Sequence, residues 1–172
     1  MYTVFFILVL AALIDSCCLV VNASQDHQCS TFMYENPSCP ESWHYWGNSC
    51  YRITETTFTW SEANDECRQL GGVLALPSSD QENNFIANTF QHVEHCWIDC
   101  NDLDVEGSWK CREGNVDITY RNWYSGEPNN SGDEDCAVLS RIGGNKREWH
   151  DVKCSRAERA LCKIAGRPLL HV

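Results

Sequence analysis

Basic residues are scarce in this chain of 172: 13 Lys and Arg stand against 24 Asp and Glu, for a formal net charge of −11. That balance excludes a basic face for a nucleic-acid backbone or for anionic lipid. Past Val21 no segment is apolar enough to cross a bilayer, which takes about 20 such residues, so membrane insertion is not expected. Internal repeats and low-complexity tracts are also missing. No Cys-x-x-Cys pair or His-Glu-x-x-His spacing supports a zinc site, although His44, His92 and His95 lie near cysteines. His92 and His95 are expected to be exposed. Nothing has the form of a nucleophile elbow, and no nucleophile and base stand paired, so the chain is not expected to be an enzyme.

Cysteine, by contrast, is abundant. Twelve are far too many for a reducing cytosol and read as staples formed in an oxidising compartment. The first residues agree. Val4 to Ile14 is an unbroken apolar run, a second covers Leu19 to Val21, and Val21-Asn22-Ala23 has the small residues of a cleavage site. Asp15 interrupts the run and leaves it too short for a membrane anchor. Residues 1–23 are therefore expected to be a cleaved signal peptide, without the usual positive n-region, and the mature protein to be secreted, soluble and extracellular. Asp15 is the only charged residue of that leader, so the mature chain keeps about −10, and clustered carboxylates invite a cation. Seven Trp, six Tyr and six Phe suffice for one core, while the length is too small for two comfortable domains.

Residues 24–38 are polar and without period, an N-terminal extension carrying one cysteine, Cys29. The domain is expected over 39–164, with 165–172 as a tail. Cys39 and Cys50 bracket Trp43, Tyr45 and Trp46, and Gly47-Asn48 suits a small disulfide-closed hairpin leading into Tyr51-Arg52-Ile53. Thr59 to Leu70 puts Trp60, Ala63, Cys67 and Leu70 on one helical face, with Thr59 and Glu62 at capping-box spacing and Gly71-Gly72 as the stop. A second helix is expected from Ser79 to about Thr89, with a Ser-x-x-Glu start and with Phe85, Ile86 and Phe90 for the core. Short aromatic or β-branched runs at Cys96-Trp97-Ile98, Ser108 to Cys111, Ala137-Val138-Leu139, Glu148 to Lys153 and Ala160 to Ile164 read as strands. Among them Trp97, Trp109 and Trp149, like Trp60, belong to the core, whereas Trp123 and Tyr124 are placed to flank a ligand. The stretch Gly114 to Asp135 has no period, and a loop so long inside a compact domain is functional or disordered.

Within that loop, Glu127-Pro128-Asn129-Asn130-Ser131-Gly132-Asp133-Glu134-Asp135-Cys136 packs four carboxylates and two carboxamides into a turn-forming stretch. Calcium wants this kind of set, because it is a hard cation that takes roughly six to eight oxygens with freedom of angle. Pro128 fixes Glu127 relative to Asn129, the more so if the bond is cis. A solvated acidic loop is the plain alternative. Asn129-Asn130-Ser131 is formally an N-glycosylation acceptor, and a glycan on Asn129 would destroy a site there; a loop ordered by calcium and closed by Cys136 is expected to fold before it is modified.

From Cys39 to Lys163 the chain resembles the C-type lectin domain family, through several features in the family's order. Trp97-Ile98-Asp99-Cys100 resembles its Trp-Ile-Gly-Leu strand, followed by Asn101 to Trp109. Glu127-Pro128-Asn129 resembles its sugar-specificity motif, and Trp149-His150-Asp151 sits where the family has Trp-Asn-Asp. The resemblance implies an α+β fold of two helices with small antiparallel sheets and a long calcium-binding loop. It also implies disulfides Cys67 with Cys162 and Cys136 with Cys154, and Cys39 with Cys50 as the mark of the long form. Cys100 and Cys111 depart from the pattern, and their proximity across the Asp102 to Trp109 turn suggests a fourth bridge. With Cys17 and Cys18 in the leader, Cys29 and Cys96 remain. They pair with one another, or Cys29 links two chains into a disulfide-bonded homodimer with added avidity; both alternatives stay open.

By the same resemblance the sugar-binding calcium belongs to Glu127, Asn129, Glu134 and Asp151, with His150 in the fifth place. A second, auxiliary ion belongs to Asp102, Glu106, Glu134, Asp135 and Asn130, the last standing where a carboxylate would be firmer. Two neighbouring sugar hydroxyls complete the calcium shell, each donating to a carboxylate and accepting from a carboxamide. Glu127 before Asn129 is the family's order for equatorial vicinal hydroxyls, so mannose, N-acetylglucosamine, glucose and fucose are expected and galactose is not. Imidazole is softer than an amide oxygen, so His150 is expected to yield its ligand place to water, donate to a sugar hydroxyl and add pH sensitivity near its ordinary pKa of about 6.5. The plain alternative is a surface residue after a core Trp. The expected function is calcium-dependent recognition of mannose-type glycans, in innate recognition or agglutination. Its rival is the same fold without sugar binding, recognising protein, ice or mineral.

Overall fold

Gly47 and Asn48 both take positive φ, 55° and 66°, and so turn His44–Trp46 (β1) back onto Ser49–Phe58 (β2) in the register of a two-residue primed turn. The structure, a computed structural model, describes residues 39–141 and 146–166. The expected signal peptide, the extension with Cys29 and the end of the tail lie outside the described residues.

Trp60–Gln69 (α1) starts on Thr59, whose side chain accepts from Glu62 N while the Glu62 carboxylate accepts from Thr59 N, a reciprocal capping box. Gly71 stops the helix with φ at +83°, as C′ glycines do. Gly72 has a different task. A Cβ there would collide with the Lys163 carbonyl oxygen, so only glycine lets Val73–Leu74 (β3), a strand the sequence patterns do not reveal, run against the last strand. Asp80–Thr89 (α2) begins on Ser79, whose hydroxyl accepts from Glu82 N. Glu82 does not return to cap the helix. Its carboxylate turns inward and accepts from Ser78 N, from the Tyr51 hydroxyl at 2.6 Å and from Lys163 Nζ at 3.0 Å. Burial pushes this carboxyl up, but those bonds and the Lys163 charge outweigh it and hold Glu82 below the ordinary range.

The remaining strands are His95–Asn101 (β4), Lys110–Glu113 (β5), Val116–Asp117 (β6), Cys136–Ser140 (β7), Glu148–Val152 (β8) and Glu158–Ala165 (β9). The order β1-β2-β9-β4-β5-β6 forms the main path, with β3 on β9 and with β7 joining β4 to β8. Among the described strands every pairing is antiparallel except that of β4 with β9, where Cys96 lies beside Arg159 and Trp97 beside Ala160 in parallel, and an isolated parallel bridge joins Trp123 to Trp149. β9 runs one residue beyond the expected end at 164, because Ala165 pairs with Ser49 and Gly166 N donates to the Asn48 carbonyl. Disulfides join Cys39 to Cys50, Cys67 to Cys162, Cys100 to Cys111 and Cys136 to Cys154.

Strand alternation sends Ile98, Leu139, Trp149 and Leu161 into one apolar cluster and Trp97, Val138, Val152 and Ala160 into a second, which also takes Ala63 and Cys67 of α1. Cys96 is fully buried in the first. Its thiol contacts the Leu139 carbonyl at 3.9 Å, and burial pushes it up to about 11. His92 is exposed as expected, but His95 is half-buried, because it lies in β4 opposite Ser140 and bonds its hydroxyl at 2.9 Å. Trp123, read as a ligand-flanking residue, instead packs edge-on against Trp109 and Trp149.

Candidate functional site

The long loop is not free of the sheet. Trp149 N donates to the Asn122 carbonyl and Tyr124 N to the Trp149 carbonyl, so the segment after Tyr120 is stitched to β8. A turn at Gly126 brings Glu127 N onto the Tyr124 carbonyl, and the Glu127-Pro128 peptide bond is cis. The next two backbone N–H groups, of Asn129 and Asn130, donate to the Asp151 carboxylate at 2.9 Å and 2.6 Å. Asp151 is 3% exposed and belongs to β8, so the sheet fixes the point on which the loop closes.

Around that point Glu127, Asn129, His150 and Asp151 come together. Asn129 Nδ2 donates to Glu127 Oε2 at 2.5 Å, and His150 Nδ1 stands 3.3 Å from Glu127 Oε1. With Glu127 ionised, Nδ1 carries the hydrogen and Nε2, buried without a partner, is the acceptor. Tyr124, the other residue read as flanking a ligand, stacks on the His150 ring with centroids 4.9 Å apart. Burial, then the adjoining Asp151 carboxylate, and further off that of Glu134, push Glu127 up to about 7 against the Asn129 bond. Glu134 stands one turn on, its Oε2 accepting from Ser131 N and its own N–H donating to Asn130 Oδ1.

The residues read as an auxiliary set lie along the same loop. Asp102 N donates to the Asp135 carbonyl, and Asp102 Oδ2 accepts from Gly107 N at 2.8 Å. Asp102 is 2% exposed, yet its Oδ1 has no partner. Burial and the carboxylates of Asp135 and Asp151 push it up, and exposed Glu106 is pushed up by desolvation and then by Asp102, Asp135, Asp133 and Asp151. Asn130 does not face this group through its amide oxygen, which Glu134 N occupies.

As they stand, no three carboxylate, imidazole or thiol groups among the described residues enclose a point where an ion would sit. Oxygens of Asp102, Glu127, Glu134 and Asp151 are held instead by neighbouring N–H groups. The donor set nonetheless suits a hard cation, being carboxylate and carboxamide oxygen, with one buried carboxylate oxygen unpartnered and the Asp151 carboxylate helping to push Glu127 up. A cation would take those oxygens over and relieve the repulsion.

Beside Glu127 and Asp151 opens a hollow of about 280 Å³ that continues past His150 toward Ser140, His95 and Arg156. Arg156 was not signalled by any motif; only its place two residues after Cys154 hints at it. The period of two on β7 and β8, which puts Val138, Ser140, His150 and Val152 on one face, is the signal for the rest.

The family model described as Lectin C-type domain matches residues 56–164. Among curated proteins the chain is similar to C-type lectin domain family 4 member M of Hylobates lar, 34% identical over 128 residues that cover 73% of this chain and 31% of that protein. It is similar also to C-type lectin domain family 17, member A of Homo sapiens, 32% identical over 126 residues covering 73% and 32%. The chain thus spans about a third of the length of these two relatives. Among solved structures, the cow carbohydrate-recognition domain of CD23, in the presence of GlcNAc2Man3 oligosaccharide, is 31% identical with a TM-score of 0.67, over 77% of this chain and 100% of that one. The mouse scavenger receptor C-type lectin carbohydrate-recognition domain, 25% identical, has a TM-score of 0.67 over 76% and 100%. With its own loop closed on Asp151 and its domain matched from 56 to 164, the chain belongs to the C-type lectin domain family.

Proposed function

We propose that this carbohydrate-binding domain recognises mannose, N-acetylglucosamine or fucose in a calcium-dependent manner, through two vicinal hydroxyls at Glu127, Asn129, Glu134, His150 and Asp151. The observation that carries the reading is the closure of the loop on Asp151, whose carboxylate accepts from Asn129 N and Asn130 N, with the Glu127 carboxylate accepting from the Asn129 amide beside it. Glu127, Asn129, Glu134 and Asp151 would hold a calcium ion, which when bound would supply places for two sugar oxygens, and Asp102, Glu106, Asn130, Glu134 and Asp135 would hold an auxiliary ion. The chain does the rest. Glu127 accepts the hydrogen of one hydroxyl and Asn129 donates through Nδ2, while His150 Nδ1 holds Glu127 in place. The role is recognition rather than catalysis.

Four disulfides support an oxidising, extracellular setting for the mature chain, and innate recognition or agglutination is the use that setting suggests. With Cys96 sealed in the core, Cys29 is the cysteine left to link two copies, and two sites would add avidity. A Cys29→Ser chain should then run as a monomer on a non-reducing gel where the natural chain runs as a dimer.

A calorimetric titration tests the main reading. Methyl mannoside should bind only once calcium is present, and Asp151→Ala should abolish both events. A second reading, recognition of a protein surface by the same loop, is favoured by the engagement of the Asn130 amide and by imidazole at 150. It predicts neither calcium uptake nor sugar heat from a folded chain.

A further inference from the structure

We propose that the hollow beside the diol-binding residues is a subsite for an anionic group on the glycan, a carboxylate or a sulfate ester, with Arg156 as its charged partner. The inference rests on the sugar reading above and extends it to the class of glycan.

The room exceeds what a diol needs. A water occupies about 30 Å³ of liquid, so a hollow of about 280 Å³ holds on the order of nine of them. Its floor is apolar and sealed, with Val138 at 1% and Val152 at 5% exposure. Besides the carboxylates already described, its lining holds groups of the opposite chemistry: the Ser140 hydroxyl bonded to the His95 ring, and Arg156. Among the described residues Arg156 is the one lysine or arginine that borders this space.

Its backbone is held in place. Arg156 N donates to the Lys153 carbonyl at 2.9 Å, and Cys154 between them is bridged to Cys136 at the start of β7. The guanidinium gives one hydrogen bond, of 2.6 Å, to Glu158, and the side chain stays 45% exposed. Four of its five N–H groups therefore remain for a second oxyanion, and a planar fork suits carboxylate and sulfate alike. The carboxylates that line the same hollow, Glu127, Glu134 and Asp151, are those the sugar reading gives to calcium, whose charge would offset theirs. A neutral hexose would leave the guanidinium unused.

The test compares N-acetylglucosamine, its 6-sulfate and glucuronic acid as competitors in millimolar calcium, against the natural chain, Arg156→Ala and Glu158→Gln. Both charged sugars keep an equatorial vicinal diol and carry the charge at carbon 6. One or both should bind on the order of fivefold tighter than N-acetylglucosamine, as expected for a half-exposed charge-assisted contact. Which of them does so identifies the group. Arg156→Ala should bring charged and neutral sugars to parity with N-acetylglucosamine affinity unchanged, and Glu158→Gln, which frees the guanidinium, should widen the preference. Equal affinities in the natural chain, or a preference that survives Arg156→Ala, would overturn the subsite while neutral binding keeps the diol reading intact. Loss of neutral binding as well would overturn both.

Discussion

His150 Nδ1 lies 3.3 Å from Glu127 Oε1, so the residue that stands where the resembling motif has asparagine is turned toward a carboxylate rather than offering an oxygen to an ion. An amide there would supply a hard ligand that imidazole does not. His150→Asn should therefore raise calcium affinity by about tenfold in a fluorescence titration. An unchanged or weaker affinity would mean that the imidazole is itself part of the ion's surroundings.

Cys136 and Cys154 close a loop of sequence separation 18 that includes β8 and Asp151. Replacing both with alanine should lower stability by about 3 kcal/mol. Hydrogen exchange should show a further loss in residues 122–135, which are stitched to β8, beyond the domain-wide one. A uniform loss across the domain would contradict the bracing role.

Asp99 stands where the resembling motif has glycine. Burial pushes its carboxyl up to about 6, against the pull of Arg68 and Arg112. Between pH 4 and 6, about the unfolded and folded values, the native chain then binds more protons than the unfolded one, so stability falls as pH rises through that window. Asp99→Asn should remove this slope and stabilise the chain at pH 7 by on the order of 2 kcal/mol, read from thermal melts in chelator. Parallel pH profiles for the two chains would refute it.

Both helices were legible because each signal is local: Thr59 and Glu62 are one turn apart, and Ser79 sits at its cap. The strands were legible as aromatic and β-branched runs, but their partners were not. Nothing in the runs at 96–98 and 160–164 announces a parallel pair, nor can two residues at 73–74 display a period. Glu82 shows the same limit. Its spacing from Ser79 spells a capping box, yet Tyr51 and Lys163, 31 and 81 residues away, take its carboxylate. At the site, the motif residues 127, 129, 150 and 151 were readable as a group, whereas Arg156 and Ser140 enter only through strand register and a disulfide.

The order of acceptor and donor at 127 and 129 sets which diol fits. Exchanging them, as Glu127→Gln with Asn129→Asp, keeps the oxygen ligands and reverses the hydrogen-bonding sense. Preference should move from mannose toward galactose by about tenfold or more in competition assays. Loss of all sugar binding with calcium uptake intact would show that the rest of the loop, not this order, sets selectivity.

Retention of the mature chain on immobilised mannose in millimolar calcium, followed by chelator, tests the central claim most directly. The account predicts retention on mannose, little on galactose, and release when calcium is withdrawn. A folded, unglycosylated chain that passes through both columns, or that stays on mannose in chelator, would contradict it.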